Sequence, residues 1–261
     1  MLQFCSLYSG SSGNSFLIKS DNTAILVDSG ISIKKITEAL DSVNTPINNI
    51  EAILVTHEHI DHIRSLGMLS SKYNIPVYAN PKTWDYLGPE KDKIADENKK
   101  TFKTLENFEI GDLKILPFKI PHDAADPCGF NIYNRNEKIS IATDLGHVTS
   151  KVLKHIESSS SVMLEANYDP EILKFSPYPY ILKQRIAGPN GHLSNDMSGD
   201  AIYKLAESGL KKALLVHLSK ENNFPELAHK TIEQILISNN CNNISIDIAP
   251  RNGPSEMLNA I

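Results

Sequence analysis

Cysteine is scarce in this 261-residue chain: Cys5, Cys128 and Cys241 are odd in number and far apart, which excludes a disulfide framework and a paired-thiol zinc site. A reducing cytoplasm is the compartment that fits. No apolar run approaches the roughly 18 residues of a membrane span. The first residues carry no basic stretch followed by an apolar core and a cleavage site, so neither export nor anchoring is expected. Positive charge is not in excess either. A formal net charge of -5 rules out the global basic footprint of a bulk nucleic-acid binder and confines any such contact to a local patch. With no low-complexity linker or charge block to divide it, the chain is expected to form a single domain over residues 1–261. Its 41% hydrophobic and 22% charged content suits one large soluble core.

Strand-like and helix-like segments alternate along the chain. Residues 2–8, 15–19 and 24–28 read as short strands, and Ser32 is placed to cap a helix to about Leu40 before a strand over 51–55. Strands are expected at 102–105 and 113–119 around the turn at Gly111-Asp112, and a hairpin at 129–133 and 138–143. Helices near 149–157, 195–207 and 225–238 then alternate with strands at 161–165, 212–216 and 244–248, as in βα units that cover a sheet. The strings Ile25-Leu26-Val27-Asp28-Ser29-Gly30 and Ile141-Ala142-Thr143-Asp144-Leu145-Gly146 are alike, a faint sign of duplicated halves.

The densest chemistry lies in Thr56-His57-Glu58-His59-Ile60-Asp61-His62, directly after the apolar run Ala52–Val55. In an extended stretch His57 and His59 share a face and can approach one cation together, and Asp61 and His62, where the chain turns toward a helix, can serve a second. A helical His-Glu-x-x-His zinc site is excluded, because Asp61 and not histidine stands four residues after His57. Other strands end in the same manner: 118–121 runs into His122, 140–143 into Asp144 and 214–216 into His217. A lone histidine after a strand is usually unremarkable. Several such endings together point to a shared site, since a sheet fixes the positions of residues at its strand ends.

Taken in order, Asp28, the His-x-His-x-Asp-His run 57–62, His122, Asp144 and His217 resemble the motifs of the metallo-β-lactamase superfamily over nearly the whole chain. The resemblance implies an α/β fold, a four-layer αββα sandwich. It implies one metal on His57, His59 and His122, a second on Asp61, His62 and His217, Asp144 bridging, and Asp28 orienting a ligand histidine. Histidine and carboxylate ligands without thiolate suit zinc or manganese, with iron also compatible. Such a two-cation centre makes hydroxide available near neutral pH. Asp61 is expected to orient that nucleophile.

Three further segments are similar to the YycJ/WalJ group within that family: Ser9–Ser15, Gly191–Asn195 and His217–Asn223. This similarity implies a 5′→3′ exonuclease acting on DNA, with His192 as a donor to phosphate or to the leaving oxygen. Ser11, Ser12 and Asn14 in the glycine-rich segment, Ser194, Asn195, Lys220 and Asn222 are the candidate substrate contacts. Each has a plainer reading: a hairpin tip for the serines, a helix cap for Ser194 and a solvated loop charge for Lys220. Tyr168 and His147 receive no role. Two other functions remain open, a small-molecule hydrolase acting on a thioester or cyclic phosphodiester at the same metals, and a non-catalytic metal-bound regulator. Protein partners and oligomeric state are not legible.

Overall fold

A computed structural model describes residues 1–260. Strands Gln3–Tyr8 (β1), Ser15–Lys19 (β2) and Ala24–Val27 (β3) form an antiparallel meander. Helix Ile33–Ser42 (α1) starts where Ser32 accepts a hydrogen bond from the Lys35 amide, and it buries Ile36, Ala39 and Leu40. Strand Ile50–Leu54 (β4) lies parallel to β3. Helices Ile60–Ile63 (α2) and Leu66–Tyr73 (α3), strand Val77–Ala79 (β5), helices Pro81–Tyr86 (α4) and Pro89–Asp92 (α5), and strand Lys99–Thr101 (β6) complete the first half. The second half opens with the antiparallel run Phe108–Ile110 (β7), Leu113–Lys119 (β8), Cys128–Asn134 (β9) and Glu137–Ala142 (β10). Helix Ser150–Ile156 (α6), strand Ser161–Glu165 (β11), helices Pro170–Phe175 (α7), Tyr180–Ile186 (α8) and Asn195–Ala206 (α9), strand Lys212–Val216 (β12), helix Pro225–Ser238 (α10) and strand Ser245–Ile248 (β13) follow. Strands β11 to β13 run parallel to β10. Finally Leu258–Asn259 (β14) returns to pair with β1.

The two sheets have the orders β14-β1-β2-β3-β4-β5-β6 and β13-β12-β11-β10-β9-β8-β7. Three antiparallel strands followed by three parallel ones occur twice, as β1–β6 and as β8–β13. Phe4, Ile18, Val27 and Leu54 of the first sheet meet Ile115, Phe130, Ile141, Met163 and Leu214 of the second in a shared core. On the outer faces Leu26 and Ile53 pack against Ile36 and Leu69, and Leu164 and Leu215 against Val152, Ile202 and Ile232. Strands covered on both faces need both faces apolar. That is why β3, β4, β11 and β12 read as continuous hydrophobic runs rather than alternating ones. The result is the helix–sheet–sheet–helix sandwich expected.

One expected strand is displaced. Leu105 adopts φ 76°, so 102–105 leaves the sheet path, and the partner of β8 across the Gly111-Asp112 turn is β7 at 108–110. The turn into a helix at Asp61 and His62 is realised as α2, whereas the short helices α3 to α5, α7 and α8, the short strand β5 and the edge strands β6 and β14 were not legible, since pieces this short show no period.

Candidate metal centre

The site is assembled at the carboxyl ends of strands from both sheets. β3 delivers Asp28, β4 delivers Thr56 and His57, the segment after β8 delivers His122, β10 delivers Asp144 and β12 delivers His217. Asp28, Asp144 and His217 have φ of 63°, 58° and 58°, a left-handed turn that swings each side chain off its strand toward the common cleft. His59 precedes α2, whose first turn carries Asp61 and His62.

Four overlapping groups result, and within each the ligand atoms lie within 4.8 Å of one another: His57 with His59 and His122; Asp61 with His62 and His217; His57 with His62 and Asp144; and Asp144 with Glu165, His192 and His217. Asp144 faces both sets of histidines. Its Oδ2 is 3.1 Å from His62 Nε2, and its Oδ1 is 3.4 Å from His217 Nδ1 and 3.9 Å from His122 Nε2.

Hydrogen bonds fix which nitrogen each ring presents. His62 Nδ1 donates to Asp28 Oδ2 at 2.7 Å, so its Nε2 is turned to Asp61 and Asp144. His122 Nδ1 donates to the Gly191 carbonyl at 3.1 Å, and its Nε2 meets His59 Nδ1 at 3.3 Å. Asp28 is itself filled, accepting from the Thr56 amide and hydroxyl at 2.9 and 2.8 Å. The Nε2 atoms of His57 and His217 are buried with no hydrogen-bond partner. Leaving such atoms unsatisfied is costly, and buried imidazole nitrogens gathered with carboxylates are the donor set of a divalent cation. The residues therefore fit metal, and a divalent metal site is what this cluster supports.

Charge tells the same story. Burial drives His57 well below the usual imidazole range. Burial would also lower His62 and His217, but Asp144 and Asp28 hold His62 well above that range, while Asp144, Asp61 and Glu165 push His217 up to about 10. Burial opposes ionisation of Asp144, yet His217 and His62 hold it well below the carboxylate range. Protons on these rings are balancing the carboxylates, a task that a cation can take over.

Glu165, which ends β11, was missed in the sequence. It is fully buried, and its Oε1 accepts from His217 Nδ1 at 2.7 Å and His192 Nδ1 at 2.8 Å. Its Oε2 accepts from the amides of Leu145 and Leu193 at 3.0 and 3.1 Å. The available signal was a charged residue closing the apolar run Ser161–Leu164, because a carboxylate inside a sheet must have partners.

His192 reaches the cluster from the loop before α9 and is 20% exposed, its Nδ1 also 3.7 Å from Asp144. Ser194 caps α9, accepting from the Met197 amide. Asn195 is buried and exchanges hydrogen bonds with the Asn223 amide at 3.1 and 2.8 Å, so its side chain is directed into the interior rather than the cleft. Asn222 is likewise buried, its Nδ2 near Ser219 Oγ at 3.4 Å. Asn14 is buried with its Oδ1 on the Gly10 amide and its Nδ2 3.1 Å from His62 Nε2, which makes it a support for the site. Ser11 and Ser12 are exposed at the β1–β2 tip, and Lys220 is exposed with its Nζ 3.9 Å from Glu221.

A family model described as the metallo-beta-lactamase superfamily matches residues 8–208. The chain is 40% identical over 232 residues to a protein named exodeoxyribonuclease WalJ from Streptococcus pneumoniae, covering 87% of this chain and 85% of the relative. It is 38% identical over 236 residues to exodeoxyribonuclease YycJ from Bacillus anthracis, with 90% and 89% covered. Among solved structures, zinc-bound PqqB from Methylobacterium extorquens superposes with a TM-score of 0.73 at 16% identity, covering 98% of this chain and all of the other, a likeness of fold alone.

Proposed function

Because the chain belongs to the metallo-beta-lactamase superfamily, we propose that it is a metal-dependent DNA exonuclease that hydrolyses phosphodiesters with 5′→3′ polarity. The observation that carries this reading is the 38–40% identity to the two exodeoxyribonucleases over nearly their whole length, on a chain with all seven candidate ligands gathered in one cleft.

His57, His59 and His122 would hold one divalent cation, Asp61, His62 and His217 a second, with Asp144 between them; zinc or manganese is the expected metal. When bound, two such cations supply Lewis acidity and a nucleophile at neutral pH. Asp28 holds the His62 ring in the tautomer that leaves Nε2 bare. Asp61, partly open to solvent, is placed to orient the attacking oxygen. Glu165 draws Nδ1–H of His192 toward itself, so Nε2 faces the cleft, where it can donate a proton to a non-bridging or leaving oxygen as charge develops. The exposed Ser11 and Ser12 can share that charge, and the exposed Lys220, loosely paired with Glu221, can turn to meet the DNA backbone.

Residues 1–261 act as one domain in this reading, in line with the core shared by both halves. The three free cysteines support a reducing, cytoplasmic setting. No helix among the described residues is long and apolar enough to cross a membrane. The deciding experiment is cleavage of end-labelled single- and double-stranded DNA and RNA by protein reconstituted with zinc or manganese. Stepwise shortening of DNA from its 5′ end is expected. Turnover confined to thioesters or cyclic phosphodiesters would replace the reading with the small-molecule alternative.

A further inference from the structure

A cleft of about 690 Å³ outside the ligand cluster is built by α7, α8 and Tyr168 in the segment after β11. Tyr168, Tyr178, Tyr180, Lys174 and Lys183 line it, and no carboxylate does. In a chain of net charge -5 that is an unusual lining. The other large cleft, about 570 Å³ near the β2–β3 turn, sets Lys19 among Asp21 and Glu51.

The cleft is joined to the catalytic side by backbone. Tyr168 bridges Ser194, and the Asn195 amide donates to the Tyr168 carbonyl at 2.9 Å. At the other wall the His192 amide donates to the Ile186 carbonyl at 2.9 Å and the Gly191 amide to the Gly188 carbonyl at 2.9 Å. Arg185, the residue before Ile186 on α8, pairs with Asp123, the neighbour of His122. Whatever occupies the cleft is therefore held in fixed relation to His192.

Its chemistry selects the occupant. Tyr180 is 74% exposed, and Phe175 and Ile181, the chain neighbours of the lining residues Lys174 and Tyr180, are 77% and 83% exposed, so apolar and aromatic surface is kept in water on α7 and α8. Lys174 is partly neutralised by Glu171 at 3.3 Å, whereas Lys183 has no carboxylate partner among the described residues and its Nζ donates to the Lys174 carbonyl at 2.7 Å. Exposed aromatic faces interleaved with lysine bind unpaired bases and their backbone, because any base offers a π-face and a phosphate needs a cation nearby. A paired duplex hides those faces.

We propose that the α7–α8 cleft seats the unpaired bases and a backbone phosphate of a single DNA strand, Tyr180 and Tyr178 stacking and Lys183 meeting the phosphate; this rests on the exonuclease reading above. The test is fluorescence anisotropy of a labelled, phosphorothioate-linked 12-mer of deoxythymidine with the metal-reconstituted full chain. Tyr180→Ala is expected to weaken binding about tenfold. Lys183→Gln should flatten the log–log salt dependence by about 0.7. Lys230→Gln, on the exposed side of α10, should change neither, and a blunt duplex of the same length should bind at least about tenfold more weakly. No binding by the wild type, equal binding by the Tyr180 and Lys183 variants, or equal affinity for the duplex each overturns the proposal. The two readings fail separately. A wild type that binds the strand but releases no nucleotide from ordinary DNA sinks only the exonuclease, whereas unaltered affinity and KM in both variants of an active enzyme sink only the cleft.

Discussion

Asp28 and Asp144 stand at equivalent points of the two halves, each just past the third strand of its repeated unit, each at a left-handed φ near 60°, each followed two residues later by glycine. Their surroundings differ. The Asp28 carboxylate accepts from the Thr56 amide, the Thr56 hydroxyl and His62 Nδ1, so three of its roughly four lone-pair directions are already taken by protein donors. Asp144 accepts from one hydroxyl, Thr143, and otherwise faces imidazole nitrogens of His62, His122 and His217. One backbone device thus produces a carboxylate that positions a ligand in one half and a carboxylate offered as a ligand in the other. What decides between them is how many donors the neighbouring strand supplies.

The largest effect should come from Asp144→Ala. It removes the carboxylate common to both histidine sets, so metal content should fall below two ions per chain and DNA hydrolysis by about 10³-fold, at the upper end for loss of an electrostatic catalytic group. Elemental analysis alongside turnover checks both. Two tightly held ions in Asp144→Ala would break the contrast with Asp28 outright.

Asp28→Asn should be milder and different in kind. The carboxamide keeps the shape but no longer favours the Nδ1–H form of His62, and metal affinity should drop about 10- to 100-fold while saturating metal restores much of the turnover. Rescue by added metal is the signature of an orienting group. If excess zinc or manganese rescues Asp144→Ala and not Asp28→Asn, the assignments are reversed.

The glycines extend the comparison to stability. A Cβ at Gly30 would overlap the Asp61 carbonyl oxygen, and one at Gly146 the Pro189 carbonyl oxygen, so each half uses a glycine to let a functional loop approach its aspartate strand end. Gly30→Ala and Gly146→Ala should each cost about 1–3 kcal/mol or more in urea unfolding, since in both the obstacle is backbone. Gly30→Ala displaces Asp61 and should impair the ligand set, while Gly146→Ala displaces the loop before His192 and should lower kcat with metal content intact. Normal stability in both would show that the loops are free to move.

This pairing also explains what was legible. The likeness of residues 25–30 to 141–146 was visible, and so were the ligands at strand ends, because a buried strand reads as an apolar run and whatever follows it must emerge at the sheet's edge. Glu165 escaped because its partners His192 and His217 are 27 and 52 residues away, and only folding joins them. Asn195 and Asn222 looked like cleft residues since they neighbour His192 and His217 in sequence. A side chain's neighbours in the chain do not fix its direction at a helix start or in a tight turn, and both amides face inward. Helices α7 and α8 have six and seven residues, too few for an apolar stripe to stand out from the proline-rich segment that joins them.

The smallest expected effect separates the two aspartates most finely. Thr143 Oγ1 donates to Asp144 Oδ2 at 2.8 Å, as Thr56 Oγ1 does to Asp28 Oδ2 at the same distance. Valine replaces threonine with little change of shape, so Thr143→Val chiefly deletes one hydrogen bond to a buried carboxylate, worth about 1.5–3 kcal/mol, whereas Thr56→Val deletes such a bond together with the 3.0 Å contact between Thr56 Oγ1 and His57 Nδ1 and should cost at least as much. Thr56→Val should carry that cost with or without metal, because the partners of Asp28 are all protein groups. Thr143→Val should carry it in chelated protein and lose most of it once metal is added, since a cation can then hold Asp144 in place. The readout is the difference between the two variants' thermal shifts with chelator and with saturating metal. A Thr143→Val penalty that stays the same on adding metal would mean that Asp144 does not meet the cation, and that the two strand ends are more alike than their surroundings indicate.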